Sequence, residues 1–331
     1  MTIGCILLLA ACVPVEEKTE MPFDISATQP KIRHVFDLQN AQDKDSLILL
    51  LSSEDPALRY AAARAFASIL DTATLTSLLP LLQDPHGKVR MMAAVAVGQI
   101  GASNAEAALT SAFDGRDSAR LFEEANSMIL ESMGKIGDAQ FLRALSTIST
   151  YQNTDTLLLL GQVRGIYRYA LRDMIDEEGT STMIHYLSDS AIPLSVRIIA
   201  ANYLLRSKNL ELTPHADQLI ASWHGESNPF LRICLASALG KVKSPEAMKE
   251  LVISLPTESD YRVKCSIIRA LQSYSYKDAH AVILASTADA NPNVAEVAAE
   301  YFVHQGQEKD VNNYKAAMND CKSWQAKTRM A

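Results

Sequence analysis

One element returns along this chain at a nearly constant interval, and that recurrence limits the fold more than any other property. Asp or Asn, often followed by Pro, opens an Ala-rich apolar run with a basic residue near its start. It stands at Asp55-Pro56 with Arg59, at Asp84-Pro85 with Arg90, at Asn228-Pro229 with Arg232, and at Asp260 with Lys264. Asn291-Pro292 opens a copy without the base, and Pro193 opens one that contains Arg197, with Asp189 just upstream. The interval is 31 residues from Arg59 to Arg90, 35 from Arg197 to Arg232 and 32 from Arg232 to Lys264. A period of that size holds two helices of three to four turns each and two short connections.

Each recurring residue has a physical role. Asp or Asn accepts the orphan N–H groups of a helix start, so Asp55 and Asp84 read as caps. Pro suits the first helical position, where its missing N–H costs nothing. Ala at three- and four-residue spacing lets helices approach closely. Gly98, Gly134 and Gly240 are expected to end helices in the left-handed conformation. Thr74 to Leu82 reads as the Leu-rich second helix of a pair, interrupted by Pro80. The copies at 121–137 and 156–171 are degenerate but keep helix followed by Gly. Helical pairs are expected to start near 31, 55, 86, 119, 154, 191, 228 and 260, with a terminal piece from 292. The fold class is therefore all-α: an α/α superhelix, an α-solenoid of about eight helical hairpins over 31–310, with a C-terminal helix or linker at 311–331. One hairpin cannot bury its own apolar face, so neighbours stack in line around a continuous core. The inner helices then line a concave face suited to a peptide or protein segment.

The first residues read as a processing signal. Met1 to Ala11 contains a short apolar run, too short to span a bilayer, and Leu9-Ala10-Ala11-Cys12 resembles a bacterial lipobox. No Lys or Arg precedes the run. The expectation is a signal peptide at 1–11, lipid on Cys12 and a flexible tether over 12–30 with Pro14, Pro22 and Pro30. Membrane contact through that lipid places the protein in the bacterial cell envelope, on the outer membrane, facing the periplasm or the surface.

Charge and motifs exclude several classes. A formal net charge of -7 argues against general nucleic-acid binding. The five cysteines form no close metal-binding pair, and Cys234 and Cys265, inside apolar helical segments, read as small buried hydrophobes. None of the seven histidines forms HExxH, repeated His-Glu dyads are lacking, and no phosphate loop, dinucleotide fingerprint or nucleophile elbow occurs. No cofactor, metal or catalytic residue is expected. Two readings stay open for Arg59, Arg90, Arg197, Arg232 and Lys264: a ladder of bonds to acids of neighbouring units, or ligand contact. The tyrosines Tyr151, Tyr167 and Tyr169 read as packing or as a partner-contact surface.

These units resemble HEAT repeats over 31 to about 300. The order of the lipobox-like leader, Ile32 to Asp43, Arg59 to Ser68 and Val97 to Gly101 further resembles the N-terminal solenoid of Bacteroidetes lipoproteins that carry a cyclophilin-type peptidyl-prolyl isomerase domain after the repeats. The resemblance implies a binding scaffold, or the substrate-binding region of an isomerase whose catalytic barrel is not in this sequence. The function expected is a non-enzymatic scaffold holding a protein or peptide.

Overall fold

In a hairpin array the first helix of each pair must start cleanly and bury most of its surface, and local sequence supplies both. Asp55, Asn228, Asp260 and Asn291 each accept a backbone N–H of the helix they open. Pro occupies the first turn after three of them, where it fits without loss. The computed structural model describes residues 23–117, 119–148 and 152–331. The leader, Cys12, the start of the tether and Tyr151 lie outside them.

The described residues form helices and turns, with no strand among them. The hairpins are α1 (Pro30–Ala41) with α2 (Lys44–Leu50), α3 (Pro56–Ile69) with α4 (Leu75–Leu78), and α5 (Gly87–Ile100) with α6 (Glu106–Ala112). Next come α7 (Glu123–Ile136) with α8 (Ala139–Ser146), α9 (Thr156–Ala170) with α10 (Glu177–Ser188), and α11 (Leu194–Arg206) with α12 (Ala216–Gly225). Then follow α13 (Pro229–Val242) with α14 (Pro245–Thr257), and α15 (Tyr261–Leu271) with α16 (Tyr276–Ser286). The terminal piece, α17 (Pro292–Gln305), pairs with α18 (Val311–Asp320), and α19 (Trp324–Met330) packs back onto α17.

Odd-numbered helices pack on odd-numbered neighbours from α1 to α19, and from α8 to α18 each even-numbered helix packs on the next. The result is two parallel layers with the core between them. Two large clusters of buried side chains make up most of that core, and α7 divides them. Ile129, Met133 and Ile136 join the cluster toward the N-terminus, and Leu130 joins the one that runs on to Phe302. The second-layer helix of the second hairpin is broken as expected: Pro80 tightens Leu79–Gln83 into a 3-10 turn after the short α4.

Three local expectations are corrected. Gly98, Gly134 and Gly240 do not end helices but lie inside α5, α7 and α13. Their service is close approach: a Cβ on Gly134 would run into the backbone of Gly165 on α9, and one on Gly240 would sit 2.9 Å from the Ala270 Cβ. Left-handed residues that do close first-layer helices are Gln42, Leu70, Gly101 and Lys243. Asp84 is not the cap of α5; the cap position falls two residues later, at His86, and the helix starts at Gly87. Residues 23–29, in the expected tether, are fixed to the array. The Phe23 ring stacks on His86 at 4.4 Å and meets Tyr60 edge-on at 5.5 Å.

Candidate interaction surface

The recurring bases occupy one structural position, the fourth residue of a first-layer helix. From there each reaches forward to the next unit, and the arginines also reach back over the preceding connection. Arg59 on α3 forks onto both oxygens of Asp84 at 2.6 and 2.8 Å. Arg197 on α11 bonds Glu226 at 2.5 Å, and Arg232 on α13 binds Glu258 at 2.6 and 2.9 Å. Lys264 on α15 binds Asp289 at 2.6 Å. The arginines also donate to carbonyls of the connection behind them, Arg59 to Ser53 and Glu54, and Arg232 to Trp223 and Glu226.

The acids share a position too. Each lies two residues before the cap of the following first-layer helix and accepts that cap residue's backbone N–H. Asp84 accepts from His86 at 2.8 Å, Glu226 from Asn228 at 2.7 Å, Glu258 from Asp260 at 3.0 Å and Asp289 from Asn291 at 2.8 Å. One carboxylate thus ties a base of one unit to the helix start of the next. Glu226 and Glu258 are almost wholly buried, so these charges are held by fixed partners rather than by water.

Arg90 departs from the pattern. Its forward neighbour is the Phe122 ring, 3.7 Å below the guanidinium, and its Nε donates back to the Asp84 carbonyl. The ladder then stops for two units. Asn126 takes the fourth place on α7 and bonds both backbone groups of Asp114 at 2.9 Å, while Leu159 takes it on α9 as a core residue. In this stretch the helices meet by contact instead. A Cβ on Gly161 would lie 2.6 Å from the Ser127 carbonyl oxygen, and one on Gly165 would lie 2.7 Å from that of Leu130.

Sequence reasoning missed a second set of links, at the opposite ends of the same helices. Lys241 Nζ donates to the carbonyls of Leu204, Leu205 and Ser207 at 2.5 to 3.0 Å, closing the end of α11. Arg172 does the same for Gly134 and Gly137 after α7, and Ser273 and Tyr274 for Gly240 and Leu239 on α13. A base at or just past the last turn was the available signal. The tyrosines divide. Tyr167 is half-buried against the core, and Tyr169 has no exposed surface. Tyr169 is therefore corrected from candidate partner contact to core: its ring packs over Gly137, and burial pushes its hydroxyl above the ordinary phenol range.

What first-layer helices leave exposed is a single stripe. Near their N-terminal ends it is apolar, with Leu157, Leu194, Phe230 and Tyr261 exposed and Leu160, Ile198 and Ile233 half-buried beside them. Near their C-terminal ends it is basic. Open grooves separate α11, α13, α15 and α17, two of them about 400 and 490 Å³, with Ile233, Ser266 and Arg269 on both. Cys234 and Cys265 are buried free thiols below this surface, and burial pushes the Cys234 thiol up to about 11. Among the described residues, no group of three or more His, Cys, Asp or Glu is placed to hold a metal, and no helix is long and apolar enough to cross a membrane.

Residues 45–128 match the family of HEAT repeats. No curated protein matches the chain. Among solved structures, human deoxyhypusine hydroxylase in complex with glycerol is similar over 81% of this chain and 98% of its own, at 17% identity and a TM-score of 0.36. Kap121p bound to RanGTP is similar over 84% of this chain but only 39% of its own, at 14% identity and a TM-score of 0.42. Residues 45–128 thus carry HEAT repeats, and the same two-helix unit continues to Asp320, so the chain is an α-solenoid.

Proposed function

We propose that this protein is a non-enzymatic scaffold that holds a polypeptide partner on the exposed stripe of its first-layer helices. The observation that carries the reading is the division of labour on those helices. Their bases at the fourth position are spent on the ladder, while a continuous, partly apolar stripe on the same helices, from α7 to α15, has nothing over it among the described residues. Glycine and alanine bring first-layer backbones together, so the array bends toward that layer and the stripe lines its inner side. A photo-crosslinker at Ile198 or Ile233 should capture a specific partner from the native envelope, and one at Lys249 on α14 should not. Equal capture from both layers, or from neither, overturns the reading.

The lipobox-like Leu9 to Cys12 supports an envelope lipoprotein anchored through Cys12. Metabolic labelling with an alkyne fatty acid should mark the wild type and not Cys12→Ser; equal labelling would remove the anchor. Prolyl isomerase assays on this chain should show no turnover above background.

A further inference from the structure

The basic half of the stripe is more regular than the capping of helix ends requires. The thirteenth residue is Lys135 on α7, Arg168 on α9, Arg206 on α11 and Lys241 on α13, four bases in succession. Arg164 and Arg269 add to the row one turn earlier on α9 and α15. Its acid is Glu131, which binds Arg168 at 2.8 Å and Arg164 at 3.6 Å. Bases at helix ends complement the macrodipole, but that purpose would serve every helix equally. The last turns of α1, α3 and α5 carry none. Arg206 and Arg269 are exposed and make no bond to an acid among the described residues. A row of like charge on a protein of net charge -7 is unfavourable unless something acidic lies over it.

The apolar row runs parallel on the same five helices: Leu121 just before α7, then Leu157, Leu194, Phe230 and Tyr261. Leu157 and Phe230 are the second residues of their helices, and Leu160, Ile198 and Ile233 the fifth. Residues two, five, nine and thirteen point within a sector about 80° wide, so these side chains face the same way as the basic row, with Leu194 and Tyr261, the first residues of α11 and α15, at its border. The two rows lie about 12–16 Å apart along the helix axes, from the rise per residue. That separation matches the about 10–12 Å width of an α-helix with its side chains. Neighbouring first-layer helices repeat at about 8–10 Å, close to the about 10.5 Å length of one heptad. Resting on the scaffold reading above, we propose that the occupant is an acidic amphipathic helix. It lies across α7 to α15 with its apolar edge on the leucine and aromatic row and its carboxylates on the basic row. One apolar and one acidic position per heptad would meet each unit, and about 21–28 residues would cover the five helices. Lys135 fits such a neighbour: burial lowers its pKa, and a carboxylate above it would restore the charged form. A nucleic acid would match the basic row but leave the apolar one facing phosphate.

The test is fluorescence anisotropy on the full chain with synthetic 25-residue peptides. One carries Leu on one edge and Glu on the other in heptad register. The second has the same composition with the period scrambled, the third replaces Glu by Lys, and poly(dT) is the nucleic-acid probe. The register peptide is expected to bind, at least about tenfold tighter than the scrambled one. Arg206→Glu with Arg269→Glu should weaken it about tenfold or more, Lys249→Glu on the second layer should leave it unchanged, and circular dichroism should show both variants folded. Equal binding of the scrambled peptide, preference for poly(dT), or indifference to the double reversal overturns the proposal. If the double reversal still yields the same crosslinked partner at Ile198, the scaffold reading stands and the acidic helix falls.

Discussion

Between α11 and α17 neighbouring units are joined by charge, and between α5 and α9 they are joined by backbone contact. In the first region Arg197, Arg232 and Lys264 each reach an acid of the next unit, and the interior is almost wholly apolar. In the second, small residues bring α5, α7 and α9 together, and polar groups take the buried places. Asn126, Ser127, Ser132, Ser146 and Gln162 are all buried, and each bonds a carbonyl of its own or a neighbouring unit. Charge at the helix start fixes rotation and spacing while leaving side chains to fill the gap between helices. Backbone contact removes the gap, and the charged link of Glu131 to Arg164 and Arg168 between α7 and α9 falls toward the C-terminal ends of those helices, away from the ladder position.

The largest expected effect comes from reopening that contact. Gly165→Val places a branched side chain where the Leu130 carbonyl and the Leu145 methyl already stand 2.7 Å from the first carbon. Urea denaturation should show a loss of about 3 kcal/mol or more. Gly240→Ala, whose added carbon would stand 2.9 Å from the Ala270 Cβ and 3.0 and 3.2 Å from its Cα and carbonyl oxygen among charge-joined units, should cost about 1–2 kcal/mol. Equal costs would erase the distinction. Next is Arg232→Ala, which strands the buried Glu258 and removes a guanidinium 3.9 Å above the Trp223 ring. About 2–4 kcal/mol should be lost. Adding Glu258→Gln should return part of it, because the stranded charge is then gone. Arg90→Lys comes third: the charge stays but the flat stack on Phe122 goes, at about 1 kcal/mol.

Acid should produce the smallest change. Arg262, hydrogen-bonded to Asp260, holds that carboxyl down to about 2, and Lys44 keeps Asp71 below the usual range. A lowered folded pKa stabilises above the unfolded value near 4 and is lost as pH falls through the folded one. The melting temperature should therefore drop between pH 4 and pH 2, and less in Arg262→Ala. An unchanged drop would mean that the Arg262–Asp260 pair contributes nothing to it.

The fold was legible because its instructions are local. Asp55, Asn228 and Asn291 start helices by contacts two residues long, and a period near 32 needs no knowledge of distant partners. The base positions were legible as a column for the same reason. Their partners were not, since Asp84, Glu226, Glu258 and Asp289 lie 25 to 29 residues further on and look like loop acids in the sequence. Gly134 misled because a glycine near a helix end has two uses, turning the chain and admitting a neighbour, and only the position of α9 separates them. Tyr169 misled because ring-rich stretches suit surfaces and cores alike. The basic column at the thirteenth position became visible only once the helix starts were fixed, since an error of two residues at any start scrambles it.

The shared carboxylate has a consequence for how such an array can lengthen. Acid and base sit in one coding period, yet the bond they make always crosses from one period to its successor. Copying a whole period in tandem therefore delivers a donor to the unit ahead and an acceptor to the unit behind, and every new junction closes without further substitution. At α17 the pattern changes: Ala295 stands where a base would, so this helix asks for no acid from a following unit.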